Sequence, residues 1–536
     1  LARGNERLAR TRARLAAIAC NVRVMLRLIV IAAAVAAACS PPTRSPNAVG
    51  SDASVDTPAP VGSCADSCDP LLGLTCDPDV GMCVGACAPS QLGTSYVGCE
   101  YYPVVTANMV DEVFDFAVVV ANSSAVDATV TFDGGSLAAP ITATVPAGRV
   151  TVQNLPWQQA LKLCDTNPSD CQGVFQPTSA FAIGGSYRVR STQPVTVYQF
   201  NPLEYTLDGT QYSYTNDASL LLPTNAWRND YYAAAYPAAG GFPGMLAVIA
   251  DSDDTHVTID ARASTPALGV VPAIGPGLPQ TLTLNRGDVI ELASINGDYT
   301  GSHVTSNKPV EVISGHYCTD IPLNTSACDH LEESMFPTET LGSHYVVNAP
   351  AMDPLPAGKV EVVRIIATRA NTTISYDPAQ PGVESLLAEP GDMIEIANNS
   401  SSFAINASAP VLVAQYMEGE QMGGGQGDPA MALAVPVEQF RSSYLFHAPI
   451  NYQSTFVDVT APLGATVMLD GTQLSFAPIG TTGYAVARAE DIDTGPNHDG
   501  NHTITGNMKF GITVYGYGQY TSYWYPGGLD LMTIIE

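Results

Sequence analysis

Apolar and polar residues alternate in short runs along most of this chain. In "GDVIELAS" (287–294), "GDMIEIAN" (391–398), "HVTID", "TISYD" and "TVMLD", nearly every second side chain is apolar. A period of two predicts strands with one face inward. Gly-Asp, Asp-Gly, Pro-Gly and Asn-Lys-Pro punctuate the runs and read as turns. After residue 100 no amphipathic helix longer than two turns is predicted, and "WQQALKLCD" (157–165) is the best short candidate.

The runs recur in a fixed order. A Tyr-bearing segment opens each copy: "LGTSYVGCEYYP" (92–103), "WRNDYYAAAYP" (227–237), "LGSHYVVNAP" (341–350) and "FRSSYLFHAP" (440–449). An apolar strand and a short β-rich run follow. A paired motif then closes the copy, as in "SNKPVEVISGHYC", "QPVTVYQF", "APVLVAQY" and "KFGITVYGY". With Tyr96, Tyr232, Tyr345 and Tyr444 as equivalent points, the periods are 136, 113 and 99 residues. Proline at the start of the closing run costs no ladder bond. Val310 and Val312, like Val411 and Val413, are expected to point into a core, with Glu311 and Leu412 on the other face.

The pattern predicts an all-β fold: a tandem repeat of about four antiparallel β-sandwich-like units, spanning about 91–205, 219–318, 331–418 and 431–525 within a β domain of 91–536. A propeller-like ring of blades, each about 45 residues, is the alternative.

Cysteine usage adds a second module. Cys64, Cys68, Cys76, Cys83, Cys87 and Cys99 crowd a stretch rich in Gly, Pro and Asp, so a small disulfide-stapled module is expected at 63–90. Fifteen connectivities stay open. Cys164/Cys171 and Cys318/Cys328 are close pairs that read as stapled loops.

Near the start, Arg27 precedes an apolar run from Leu28 to Ala38 and then Cys39. The run is too short to span a bilayer and fits a signal region at 1–38. Small residues before Cys39 resemble the bacterial lipoprotein cleavage box, which implies lipidation at Cys39 and display at the outer membrane or cell surface. Residues 1–24 are basic, lack an initial Met and read as an over-extended gene start. Residues 40–62, following Cys39, carry Pro, Ser, Ala and Asp and read as a disordered linker.

The whole chain has a formal net charge of −29. Such acidity repels nucleic acid and anionic lipid head groups, so the only membrane contact expected is through the lipid anchor. With 46% hydrophobic residues the acidity is not a disorder signature.

Two long motifs carry a family resemblance. "SGHYCTDIPLNTSACDHLEESMFPTETLGSHYVVNAP" (314–350) and "GNHTITGNMKFGITVYGYGQYTSYWYPGG" (500–528) resemble the IgGFc-binding protein N-terminal domain family, as do "GCEYYPV" and "NDASLLLPTNAWRNDYYAAAYP". The likeness covers about residues 90–530. It implies a non-enzymatic domain found in a large mucus protein and in bacterial surface proteins. No von Willebrand D-type assembly is read in this sequence, and no Fc-contacting residue carries over.

Chemistry-bearing constellations are few. His316, Cys318, Cys328 and His330 have zinc-like spacing, but in an oxidising compartment the two Cys pair with each other instead. Asp329, His330, Glu332 and Glu333 read as a solvated loop. Asp491, Asp493, Asn497 and Asp499 place oxygen ligands around Gly495, a weak calcium candidate that lacks the closing Glu. "DSDDT" (251–255) is weaker still and reads as a turn. Otherwise no metal or cofactor is expected. Nucleophile and nucleotide motifs are absent. The expectation is a non-enzymatic surface lipoprotein that displays a repeated β domain for adhesion, or for binding an extracellular protein or glycan. A structural envelope or extracellular-matrix component is the alternative. A glycan hydrolase, which would need two carboxyl groups roughly 5–9 Å apart in one cleft, ranks last.

Overall fold

Strand pairing in the computed structural model follows one scheme four times. An opening strand (Gly98–Tyr101, Arg228–Tyr232, His344–Val347, Arg441–His447) pairs with the first half of a long strand. A second strand (Phe116–Asn122, Gly244–Ala250, Glu361–Ala367, Ser454–Pro462) and a closing strand (Ala218–Leu221, Asp329–Ser334, Met431–Leu433, Thr521–Pro526) flank its second half. The long strand is Tyr187–Phe200, His303–Thr319 and Asn501–Gly518, and in the third copy it breaks into Phe403–Ala407 and Val411–Met417. All of these pairs are antiparallel. The third copy therefore separates into two four-stranded sheets, a plain sandwich. In the other three, the unbroken long strand passes from one sheet into the other. The described residues are 64, 67–162, 179–355, 357–422, 425–492, 495–496 and 498–534.

The crossing point has a side-chain clamp. Pairing with the opening strand slips between Arg190 and Val195, between Thr305 and Val310, and between Thr505 and Phe510, a bulge that lets the strand bend. At each crossing a buried tyrosine hydroxyl accepts the backbone N–H three residues before it. Tyr101 accepts Gly98, Tyr231 accepts Arg228, Tyr345 accepts Gly342 and Tyr444 accepts Arg441, at 2.9, 2.9, 3.2 and 3.0 Å. The same hydroxyls donate to the carbonyls of Val195, Val310, Val411 and Phe510. The equivalent tyrosines are thus Tyr101 and Tyr231, not Tyr96 and Tyr232. Tyr96 instead lies under the Arg441 guanidinium at 5.0 Å, and Tyr232 stacks on His303 at 4.5 Å. Tyr231→Phe orphans a buried donor and acceptor and is expected to cost roughly 1–3 kcal/mol. The check is a lowered urea midpoint with an unchanged slope.

Burial explains why some strands alternate and others do not. Outer strands such as Thr255–Asp260 have one wet face and alternate buried with exposed. The second strands are buried throughout, as in Gly244–Ala250. Their far side packs against neighbouring copies: Val363 and Ile365 face the third sandwich's own core, whereas Val362, Ile366 and Leu412 join a core shared with the other copies. The same arrangement buries Glu311, whose Oε1 lies 3.4 Å from the Leu222 N–H of the preceding copy.

Closing strands of all four copies meet one another around the centre, and the last copy meets the first. The Tyr198 ring packs tilted against Tyr525 at 4.8 Å, and its hydroxyl donates to the Gly527 carbonyl at 2.9 Å. The units are sandwiches, and together they close into a ring.

The Cys-rich module is a short hairpin, Thr75–Asp77 with Met82–Val84, held by Cys64–Cys76 and Cys68–Cys83. Cys87–Cys99 ties it to the first opening strand. Helix occurs at Gln159–Lys162 within the short candidate. Cys39, the linker, Cys164 and Cys171 lie outside the described residues.

Candidate functional site

Ionisable groups collect where the closing strands converge. Asp217 Oδ1 accepts N–H from Ala218 (2.9 Å) and Trp524 (3.2 Å), and Oδ2 accepts from Glu332 (3.1 Å) and Met431 (3.2 Å). One carboxylate thereby bonds the closing strand of every copy. Asp329 Oδ2 accepts the Ser522 N–H and the Thr521 hydroxyl, both at 3.0 Å. Asp428 Oδ1 accepts the Glu420 N–H at 3.0 Å, and its backbone carbonyl accepts the Ser522 hydroxyl at 2.8 Å. Glu332 accepts from Thr106 (2.6 Å), Gln199 (3.1 Å) and Ser219 (3.1 Å), joining the first copy to the second. Lys359 is buried under this centre, donates to the Gln426 and Gly427 carbonyls and lies 5.0 Å from the Tyr517 ring.

Asp217, Asp329, His330, Glu332 and Glu333 are each 0% exposed. The expected solvated loop at 329–333 is therefore the innermost strand. Its neighbours are other closing strands rather than water. Burial pushes the carboxyls of Asp217, Asp329 and Glu333 well above the usual range and those of Glu291 and Glu311 up to about 8. Burial, with the nearby His330, lowers His316 to about 3. Burial lowers Lys359 to about 8 and raises Asp428 to about 6. Enclosed acids engaged by backbone N–H groups hold strands together and present no reacting atom to a substrate.

The remaining candidates fall as follows. Cys318 and Cys328 are joined as a disulfide, which removes both thiolates from any zinc site. In the calcium candidate, Asp493 and Asn497 lie outside the described residues. Asp499 lies 4.0 Å from Arg149 of the first copy and accepts the Asn501 N–H at 3.2 Å, while Asp491 takes a positive φ. Among the described residues no three His, Cys, Asp or Glu are grouped as a metal site. In "DSDDT" the Asp253 carboxylate accepts the Arg286 N–H at 3.1 Å, as a turn residue does. Asp217, Lys359 and Asp428 were missed by sequence reasoning. For the two acids the signal is an Asp at or just before the start of three closing strands, in "TNDASLL", "ACDHLEE" and "QGDPAMA"; Lys359 has no such signal.

Two kinds of feature face outward. A cleft of about 380 Å³ between the second and third copies is lined by Asp230, Tyr232, His303, Glu339, Thr368 and Arg369. There His303 Nε2 lies 3.0 Å from Asp230 Oδ2; burial raises this carboxyl, but the hydrogen bonds of His303 and Thr338 together with the His303 charge outweigh it and hold Asp230 below its usual value. The other feature is the set of loops joining each long strand to its closing strand. Because the closing strands start together at the centre, the described parts of these loops (201–217, 320–328, 418–422 with 425–430, and 519–520) gather at one end, each with its own length and sequence.

The described residues thus form a closed β ring with ionic groups buried at its centre and unlike loops at one end. A family model described as IgGFc binding protein matches residues 217–516, and the chain belongs to that family. It is similar to the human IgGFc-binding protein, at 24% identity over 318 residues. That match takes in 58% of this chain and 6% of the relative, so the chain spans a small fraction of that protein's length. A solved structure named "Biofilm associated protein - BSP domain" aligns over 83% of this chain and 98% of its own, at 8% identity. Its TM-score is 0.15, and it carries no argument about this chain.

Proposed function

We propose that this chain is a non-enzymatic binding protein of the bacterial cell surface, held at the outer membrane by a lipid on Cys39. Its ligand in this reading is an extracellular protein or glycan, and no cofactor takes part. One observation carries it: the acid and histidine cluster of Asp217, Asp329, His330, Glu332 and Glu333 is enclosed at the ring's centre, while the loops that differ between copies lie at one end. Family membership supports a binding role, and the relative's name, IgGFc-binding protein, makes an Fc fragment one ligand to try. Among the described residues no helix is long and apolar enough to cross a membrane.

The test compares cells displaying the chain with cells carrying Cys39→Ala. Cys39→Ala is expected to release the protein into the soluble fraction and to abolish capture of immobilised mucin, matrix protein or Fc by whole cells. Labelled glycans incubated with the purified chain are expected back intact. A released hydrolysis product, or unchanged membrane partitioning of the variant, would overturn the reading.

A further inference from the structure

At the gathered-loop end, tyrosines form a continuous surface. Tyr205 packs on Tyr212 (5.4 Å), Tyr212 stacks on Tyr214 (6.2 Å, 21°), and Tyr214 meets Tyr520 edge-on (6.3 Å). Tyr452 backs Tyr205 at 5.7 Å. Tyr212, Tyr214 and Tyr520 are 37%, 48% and 39% exposed, a large aromatic area for a surface to leave in water.

The platform is held in place from behind. The Tyr205 hydroxyl accepts the Gln519 N–H at 2.9 Å and the Gln453 side-chain amide at 3.3 Å, and the Asn451 amide donates to the Thr206 carbonyl at 3.3 Å. The first copy's loop is thus bound to two loops of the fourth. Tyr520 takes a φ of +61° in the two-residue turn after the last long strand. A bulky side chain is strained in that region, where Gly or Asn sits at lower cost.

The charge of this end is one-sided. It is built from the four long-to-closing loops and from the loops that precede the second strands (102–115, 233–243, 348–360 and 448–453). Lys359, which is fully buried, is the only Lys or Arg in these eight segments, and they contain no His. Acids are frequent there, with Glu204 and Asp208 in the platform loop itself and Asp115 donating its N–H to Glu204 at 2.9 Å.

Inside the fold, tyrosines with nearby carboxylates already hold guanidinium groups. Arg364 lies 4.3 Å from the Tyr236 ring and 5.5 Å from Tyr416 while pairing with Asp298 and Glu395, both at 2.8 Å. Arg441 lies over Tyr96 and pairs with Asp530 at 2.6 Å. The outward platform repeats that chemistry on solvent-facing rings. We propose that Tyr212, Tyr214 and Tyr520 form a docking surface for an arginine-rich segment of a partner protein. This deepens the binding role above by naming the partner's chemistry, and it rests on that reading. Arginine is favoured over lysine because its planar guanidinium stacks on an aromatic face while its N–H fork reaches a carboxylate. Three exposed guanidinium–ring contacts together change affinity by roughly 10- to 100-fold.

The experiment titrates the purified full chain by calorimetry with an oligoarginine peptide, an oligolysine peptide of equal length and a neutral oligosaccharide. It therefore reads out independently of where the chain is displayed. Oligoarginine is expected to bind more tightly than oligolysine, and Tyr212→Ala/Tyr214→Ala/Tyr520→Gly to lose roughly 10- to 100-fold. Glycine suits the φ of position 520, so Tyr520→Gly alone is a second variant that keeps the fold while removing a ring. Equal affinity for the two peptides, or equal binding by wild type and variants, would mean diffuse attraction to an acidic surface and overturn the proposal. Oligosaccharide binding that depends on these tyrosines, without oligoarginine binding, would overturn it in favour of a glycan site.

Discussion

Asp217→Ala is expected to open the ring and to unfold much of the chain at neutral pH. Its carboxylate accepts N–H groups from Ala218, Glu332, Met431 and Trp524, one from each of the four closing strands. Alanine leaves four buried donors without partners, at roughly 1–3 kcal/mol each. Removing a buried acid returns part of that sum, because burial already works against Asp217, so the expected net loss is about 4 kcal/mol or more. A typical domain has about 5–15 kcal/mol in total. Asp217→Asn keeps one oxygen, enough for Ala218 and Trp524, and turns an NH₂ towards the Glu332 and Met431 N–H groups. It should fall between wild type and alanine. Limited proteolysis checks the ring directly: cleavage should begin in the linking segments of Asp217→Ala under conditions where wild type stays intact. Wild-type resistance in the alanine variant would show that the hub is dispensable.

The hub illustrates what was legible in the chain and what was not. Strand character was plain in "HVTID", because an outer strand has one face in water and its residues report that face. It was also plain that "GMLAVIA" forms a strand, but its unbroken apolar run left open what covers the second face. The answer is a neighbouring copy, which is long-range information that no single strand carries. The same gap misplaced the acids. Asp329, Glu332 and Glu333 look like loop residues between a cysteine pair and the next tyrosine segment. Only when four closing strands converge do enough N–H and hydroxyl donors surround them to permit burial. Tyr232 was taken for Tyr231 for a related reason. Two adjacent tyrosines look alike in sequence, and only the register places the Tyr231 hydroxyl against the Val310 carbonyl at the strand crossing.

Stability is expected to fall as pH rises from about 6.5 to about 8, the reverse of ordinary acid denaturation. Burial pushes Glu291, Glu311 and Glu361 up to about 8 in the folded chain, against 4.5 when exposed. Oε2 of Glu291 and of Glu311 has no hydrogen-bond partner, so the protonated form suits these sites better than an anion. Between those pKa values the folded state binds more protons than the unfolded state, and stability therefore decreases with pH until the folded pKa is passed. Two buried histidines act in the other direction. His316 is lowered to about 3 and His447 to about 4, so both bind protons only on unfolding and erode stability as pH falls below 6.5. Lys359, lowered to about 8, changes the balance only above that value. Asp217, Asp329 and Glu333, which burial also raises well above the usual range, act with the same sign as the three glutamates. At about 1.4 kcal/mol per pH unit for each group, the three glutamates alone contribute a loss of roughly 2–6 kcal/mol after allowance for partial relaxation of the buried sites. Urea unfolding at pH 6.5 and pH 8 measures it as a drop in midpoint. Glu311→Gln keeps the shape and removes one titration, so it should make the drop shallower. A midpoint that rises over this interval, or a Glu311→Gln variant with the wild-type slope, would mean that these carboxylates stay ionised inside the fold.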